Sequence, residues 1–113
     1  MDITFKSTKL RKIFESKRDL IRNYGEVRGK KLSRLISFLR AAPCLENVPP
    51  EKPFRRHELI SNRKGQFSVE ITGNYRLILE PCNEPLPVKE DGGLDLKKIT
   101  RIKIIEVEDY HGD

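Results

Sequence analysis

Apolar and polar residues alternate at the start of the chain, where Ile3 and Phe5 stand between Asp2, Thr4 and Lys6, a pattern that predicts a short strand. Leu10, Ile13 and Phe14 then recur at helical spacing. Ser7 and Thr8 precede them, and either can cap a helix by accepting from the free N–H groups of its first turn. Leu32, Leu35, Ile36 and Leu39 form a stripe at i, i+3, i+4 and i+7 that stops before Pro43, which predicts a second helix over about 25–41. Gly25 and Gly29 blur the stretch before the stripe. Prolines at 43, 49, 50 and 53 exclude helix and suit a surface connection, after which Phe54 to Ile60 resumes an extended pattern with His57 inside it.

Two alternating runs follow, Gln66 to Ile71 and Tyr75 to Glu80, separated by Thr72-Gly73-Asn74. Gly and Asn tolerate positive φ, so this is a hairpin signal. A two-residue turn at Gly73-Asn74 sets Ile71 opposite Arg76 and Val69 opposite Ile78. Residues 83–98 form a long polar connection in which Glu90 and Asp91 are read as solvated, and the β-branched run from Ile99 to Val107 predicts the last strand. The fold class that results is α+β, with two N-terminal helices packed on one face of a twisted antiparallel sheet.

At 113 residues the chain has room for one domain, spanning 1–113, with a single core. Lys and Arg outnumber Asp and Glu by 23 to 17, a formal charge of +6 that favours a polyanionic or acidic partner: nucleic acid, ribosome or an acidic protein. The charge is uneven, because Lys6 to Arg40 is densely basic and Asn83 to Asp95 is largely acidic. Cys44 and Cys82 lack zinc-binding spacing and form no disulfide framework, so a reduced, cytoplasmic chain is expected. No apolar run approaches the length of a membrane span, and nothing after Met1 resembles an export signal.

The two histidines, His57 and His111, show no metal-binding spacing, so no metal and no small-molecule cofactor is expected. Histidine can take or give a proton near neutral pH, and Arg and Lys can stabilise a developing phosphorane; together these are what RNA cleavage without a metal requires. Alone, His57 reads more often as a half-buried strand residue than as a catalyst. Lys30, Lys31, Arg34 and Arg40 read first as a solvated helix face. Tyr24, Phe67 and Tyr75 read as packing residues.

The stretch Asn62-Arg-Lys-Gly-Gln-Phe-Ser-Val69 running into Gly73-Asn-Tyr-Arg-Leu77, preceded by His57 and closed by Asp109-Tyr110-His111, resembles the HigB toxins of bacterial toxin–antitoxin modules, in the RelE/ParE superfamily. The resemblance implies a RelE/ParE-like fold and a ribosome-dependent mRNA endoribonuclease. It also implies a HigA-like helix-turn-helix antitoxin as partner. By matching position, His57, Asp109, Tyr110, His111 and Arg76 fall in the catalytic group. His57 and His111 are candidate general base and acid in either order, Tyr110 orients the hydroxyl or stacks on a base, and Asp109 orients a histidine. Arg63, Lys64 and Arg76 would neutralise the scissile phosphate, and Lys30, Lys31 and Arg34 are candidate contacts to ribosomal RNA. The same superfamily holds ParE proteins, which act on DNA gyrase, and a non-enzymatic RNA- or ribosome-binding protein would use the same basic surface.

Overall fold

Ser7 both ends the first strand and starts the first helix, since its hydroxyl accepts from the Leu10 N–H at 3.1 Å. Strand β1 (Asp2–Phe5) therefore passes directly into helix α1 (Thr8–Ile13). Ser16 repeats the device on the Asp19 N–H at 3.0 Å and opens helix α2 (Lys17–Tyr24). Gly25, at φ +88°, turns the chain straight into helix α3 (Glu26–Ala41). The computed structural model describes residues 1–109. It has three N-terminal helices where two were expected. The extra one, α2, hides from the apolar pattern because Leu20 is its one fully buried residue and most of its other positions are charged or polar.

Five strands form one sheet in the order β1-β5-β4-β3-β2, with β2 (His57–Glu58), β3 (Phe67–Thr72), β4 (Tyr75–Pro81) and β5 (Arg101–Asp109) following α3. The sheet is mixed rather than antiparallel: β1 runs parallel to β5, with Ile3 beside Ile102 and Phe5 beside Ile104. Parallel neighbours need a long connection, and here every helix lies between the two strands in sequence. The extended pattern of Phe54 to Ile60 yields only the two residues of β2, because Arg55 sits at φ +46° just ahead of it and breaks the strand.

The hairpin is present, but its register departs from expectation. Thr72 pairs with Tyr75, yet Glu70 faces Arg76, Val69 faces Leu77 and Ser68 faces Ile78. The register shift falls at Ile71, which is left as an extra residue, a bulge. Without it Ile71 would share a face with Arg76; with it, Ile71 joins Val69, Leu77 and Leu79 in the core.

That core lies between the helices and one face of the sheet. Leu32, Leu35, Ile36 and Leu39 of α3 are buried as their spacing predicts and join Phe67, Val69, Leu77, Ile102 and Ile104 in one cluster. Tyr24 and Tyr75 pack against it from its margin. The 83–98 connection is pinned at its start by the Asn83 side chain, whose oxygen accepts from the Thr100 and Arg101 N–H groups at 3.0 Å each. No described helix is long and apolar enough to cross a membrane.

Candidate active site on the second face of the sheet

Strand alternation decides what the other face carries. With Phe67, Val69, Leu77 and Leu79 committed to the core, Ser68, Glu70, Arg76 and Ile78 point the opposite way. Their cross-strand partners follow: His57, Ser68, Ile78 and Glu106 lie in one row across β2, β3, β4 and β5, and Glu70, Arg76 and Glu108 in the next.

Over these rows opens a cavity of about 890 Å³, lined by His57, Ser68, Arg76 and Glu108 from the sheet and by residues of the flanking 50–56 and 59–63 segments. His57 is exposed on the edge strand and not half-buried. Arg63 lines the cavity as well, so the fold brings together His57 of β2, Arg63 of the segment after it and Arg76 of β4.

The cations of the cavity are held in different ways. Arg63 stands on a 3₁₀ turn (Ser61–Arg63) whose first residue has φ +60°. Its Nη2 meets Glu106 Oε2 at 2.5 Å and Glu108 Oε1 at 3.4 Å, and its Nη1 donates to Gln66 Oε1 at 2.9 Å. The Glu106 hydrogen bond, aided by the charge of Glu108, pushes the Arg63 guanidinium above its ordinary value and keeps it fully cationic. Arg76 donates to the carbonyls of Gly73 at 2.8 Å and Tyr75 at 3.3 Å and lies 3.9 Å from Glu70. Arg55 Nε lies 3.4 Å from the same Glu70. Arg56 Nη1 donates to the carbonyls of Leu45, Glu46 and Val48, the last at 2.6 Å.

The remaining expected site residues lie elsewhere. Asp109 ends β5 opposite Tyr75 and does not line the cavity. Tyr110 and His111 lie outside the described residues. Lys64 is exposed beyond the cavity lining. Lys30 pairs with Glu26 along α3 at 3.3 Å. Lys31 and Arg34 border a separate groove of about 310 Å³, floored by Leu35, Phe38, Phe54 and Ile71. Among the described residues no cluster of His, Cys, Asp or Glu could hold a metal ion.

Sequence reasoning missed Lys52, Arg55, Arg56, Ser68 and Glu108 as cavity residues. A signal for the first three was available, since the run Lys52-Pro-Phe-Arg-Arg56 stands directly before His57. Glu108 and Ser68 become neighbours of the site only through strand register.

No protein-family model matches the sequence, and no curated protein matches it. Solved structures do. The YoeB–YefM complex from Staphylococcus aureus superposes with a TM-score of 0.53 at 20% identity, covering 99% of this chain and 98% of that one. A YoeB/ParE toxin from Agrobacterium tumefaciens superposes with a TM-score of 0.55 at 13% identity, covering 98% of this chain and 100% of that one. Over nearly its whole length, then, the chain shares the fold of these YoeB- and YoeB/ParE-type toxin structures.

Proposed function

We propose that this chain is the toxin of a toxin–antitoxin pair, a cytoplasmic endoribonuclease that cleaves mRNA on the ribosome without a metal. The observation that carries this reading is an exposed His57 on the rim of a cation-lined cavity that also receives Arg76. An exposed imidazole can exchange protons with a bound substrate, and a guanidinium fixed by backbone carbonyls is already placed to meet charge on a phosphorane. The S. aureus neighbour, solved with YefM bound, supports an antitoxin partner for this chain. The HigB-like motifs point to a HigA-like, helix-turn-helix one.

In the reaction, a general base removes the proton of the 2′-hydroxyl, whose oxygen attacks the adjacent phosphorus. The 5′ oxygen leaves with a proton from a general acid, giving a 2′,3′-cyclic phosphate and a 5′-hydroxyl end. His57 and His111 take the base and acid parts, in an order the sequence leaves open. Tyr110 and Asp109 orient the reacting groups, Arg76 acts on the reacting phosphate, and Lys64, Lys30, Lys31 and Arg34 contact RNA outside the reacting centre.

Mapping the 5′ ends of a message after brief expression tests the proposal. New ends should appear inside the translated frame and be missing from the same message with its start codon removed. Equal cutting of both copies, or of neither, would reject ribosome-dependent cleavage. One observation keeps a second reading open, for the A. tumefaciens neighbour is named both YoeB and ParE. A ParE-like protein would inhibit supercoiling by purified DNA gyrase, and a nuclease would not.

A further inference from the structure

Among the described residues, five cationic side chains line the cavity: Lys52, Arg55, Arg56, Arg63 and Arg76. Four are already engaged. Arg56 is spent on three carbonyls, Arg63 on two carboxylates, Arg55 on Glu70, and Arg76 on two carbonyls beside Glu70. A phosphodiester approaching Arg63 would have to compete with carboxylates at 2.5 and 3.4 Å. Among the described residues, only the Lys52 ammonium lines this cavity without an acceptor.

The segment carrying Lys52 is held firmly while the side chain is left exposed. The Arg55 N–H donates to the Glu51 carbonyl at 2.9 Å and the Arg56 N–H to the Pro49 carbonyl at 3.1 Å, closing a tight loop. Phe54 stacks on Phe38 with ring centroids 4.4 Å apart, and its carbonyl accepts from the Glu70 N–H at 2.7 Å. An ammonium on a four-carbon stem, rising from an anchored loop at the cavity wall, suits a phosphate that arrives in variable orientation.

We propose that Lys52 receives a substrate phosphodiester in this cavity other than the reacting one, which Arg76 meets, and that Arg63 is a positioning residue tying the 59–66 segment to β5. The proposal rests on the reading above only in taking the ligand to be single-stranded nucleic acid. It divides the cations by work: Arg56 and Arg63 hold the walls, and Lys52 meets the ligand.

The test uses a single-stranded mixed-sequence oligodeoxynucleotide, which lacks the 2′-hydroxyl and is not cut, so binding is read apart from cleavage. Affinity is measured against salt for the whole protein. Lys52→Gln should weaken binding and flatten the log–log salt slope by about 0.7, the contribution of one phosphate contact on a single strand. Lys52→Arg should restore the slope. Glu106→Gln with Glu108→Gln should steepen it, because Arg63 is then released as a second phosphate contact. An unchanged slope in Lys52→Gln, or no measurable binding by the wild type, would overturn the proposal. Normal oligonucleotide binding with an intact message in the ribosome assay would instead reject the nuclease reading and leave the Lys52 site standing.

Discussion

Arg56 stands next to His57 in sequence yet spends its charge on structure. Its guanidinium gathers the carbonyls of Leu45, Glu46 and Val48 around a 3₁₀ turn (Leu45–Asn47), where the Leu45 carbonyl also accepts from the Val48 N–H at 3.0 Å. Arg56→Ala should therefore destabilise the fold by about 2 kcal/mol, in the range for hydrogen bonds to a charged group. Chemical denaturation reads this as a lower midpoint with an unchanged m-value. Tyr24 offers a pH test. Burial raises its phenol above the ordinary value of 10.0, so the folded state keeps its proton where the unfolded state begins to lose it. Stability from this group is complete below about pH 10 and is lost as pH rises through the higher folded value, because the unfolded chain then binds fewer protons. Tyr24→Phe should flatten that alkaline fall in a denaturation series; an equally steep fall in the variant would assign it to other groups. At this scale the sequence exposed residue types but not their partners. The resemblance that selected Arg63 as a phosphate contact could not show Glu106 and Glu108 waiting beside it, since those contacts cross 43 and 45 positions of the chain.

Among the elements, α2 and α3 meet at a backbone-to-backbone contact. A Cβ placed on Gly29 would lie 2.5 Å from Ile21 Cα and 2.6 Å from its nitrogen. Inside an exposed helix, Gly→Ala stabilises by about 1 kcal/mol; here overpacking reverses the sign, and Gly29→Ala should destabilise by about 1–3 kcal/mol. Thermal melting distinguishes the two directions at once. Elements with an unmixed apolar rhythm were legible: the stripe of Leu32, Leu35, Ile36 and Leu39, the β3–β4 hairpin, and β5. Helix α2 was not, because only Leu20 marks it as buried and its Ser16 cap looks like any other serine in a polar stretch. The hairpin's turn could be read from Gly73-Asn74, but the bulge at Ile71 could not. It arises from the joint demand that Ile71 and Leu77 face the helices while Arg76 faces away, a constraint that appears only once the core exists.

Across the whole molecule, the sheet separates two tasks. One face carries the helices and the core; the other carries His57, Ser68, Arg76, Glu106 and Glu108 in adjacent rows. Sequence order indicated the α+β class, but the mixed sheet depends on β1 docking beside β5, and pairing between strands so far apart in the chain leaves no local mark. The division predicts separable effects. Leu32→Ala, on a fully buried side chain, should lose about 2–5 kcal/mol of stability and lower activity only through the unfolded fraction. His57→Ala, on an exposed edge residue, should leave the melting temperature within a few degrees of wild type.

The most direct measurement is single-turnover cleavage of mRNA on purified ribosomes by the wild type and His57→Ala, with both ends of the cut identified chemically. The wild type should leave a 2′,3′-cyclic phosphate and a 5′-hydroxyl, and His57→Ala should cut at least about 10²-fold more slowly while melting normally. Cleavage by His57→Ala at the wild-type rate, or an intact message with the folded wild type, would contradict a nuclease centred on this face of the sheet.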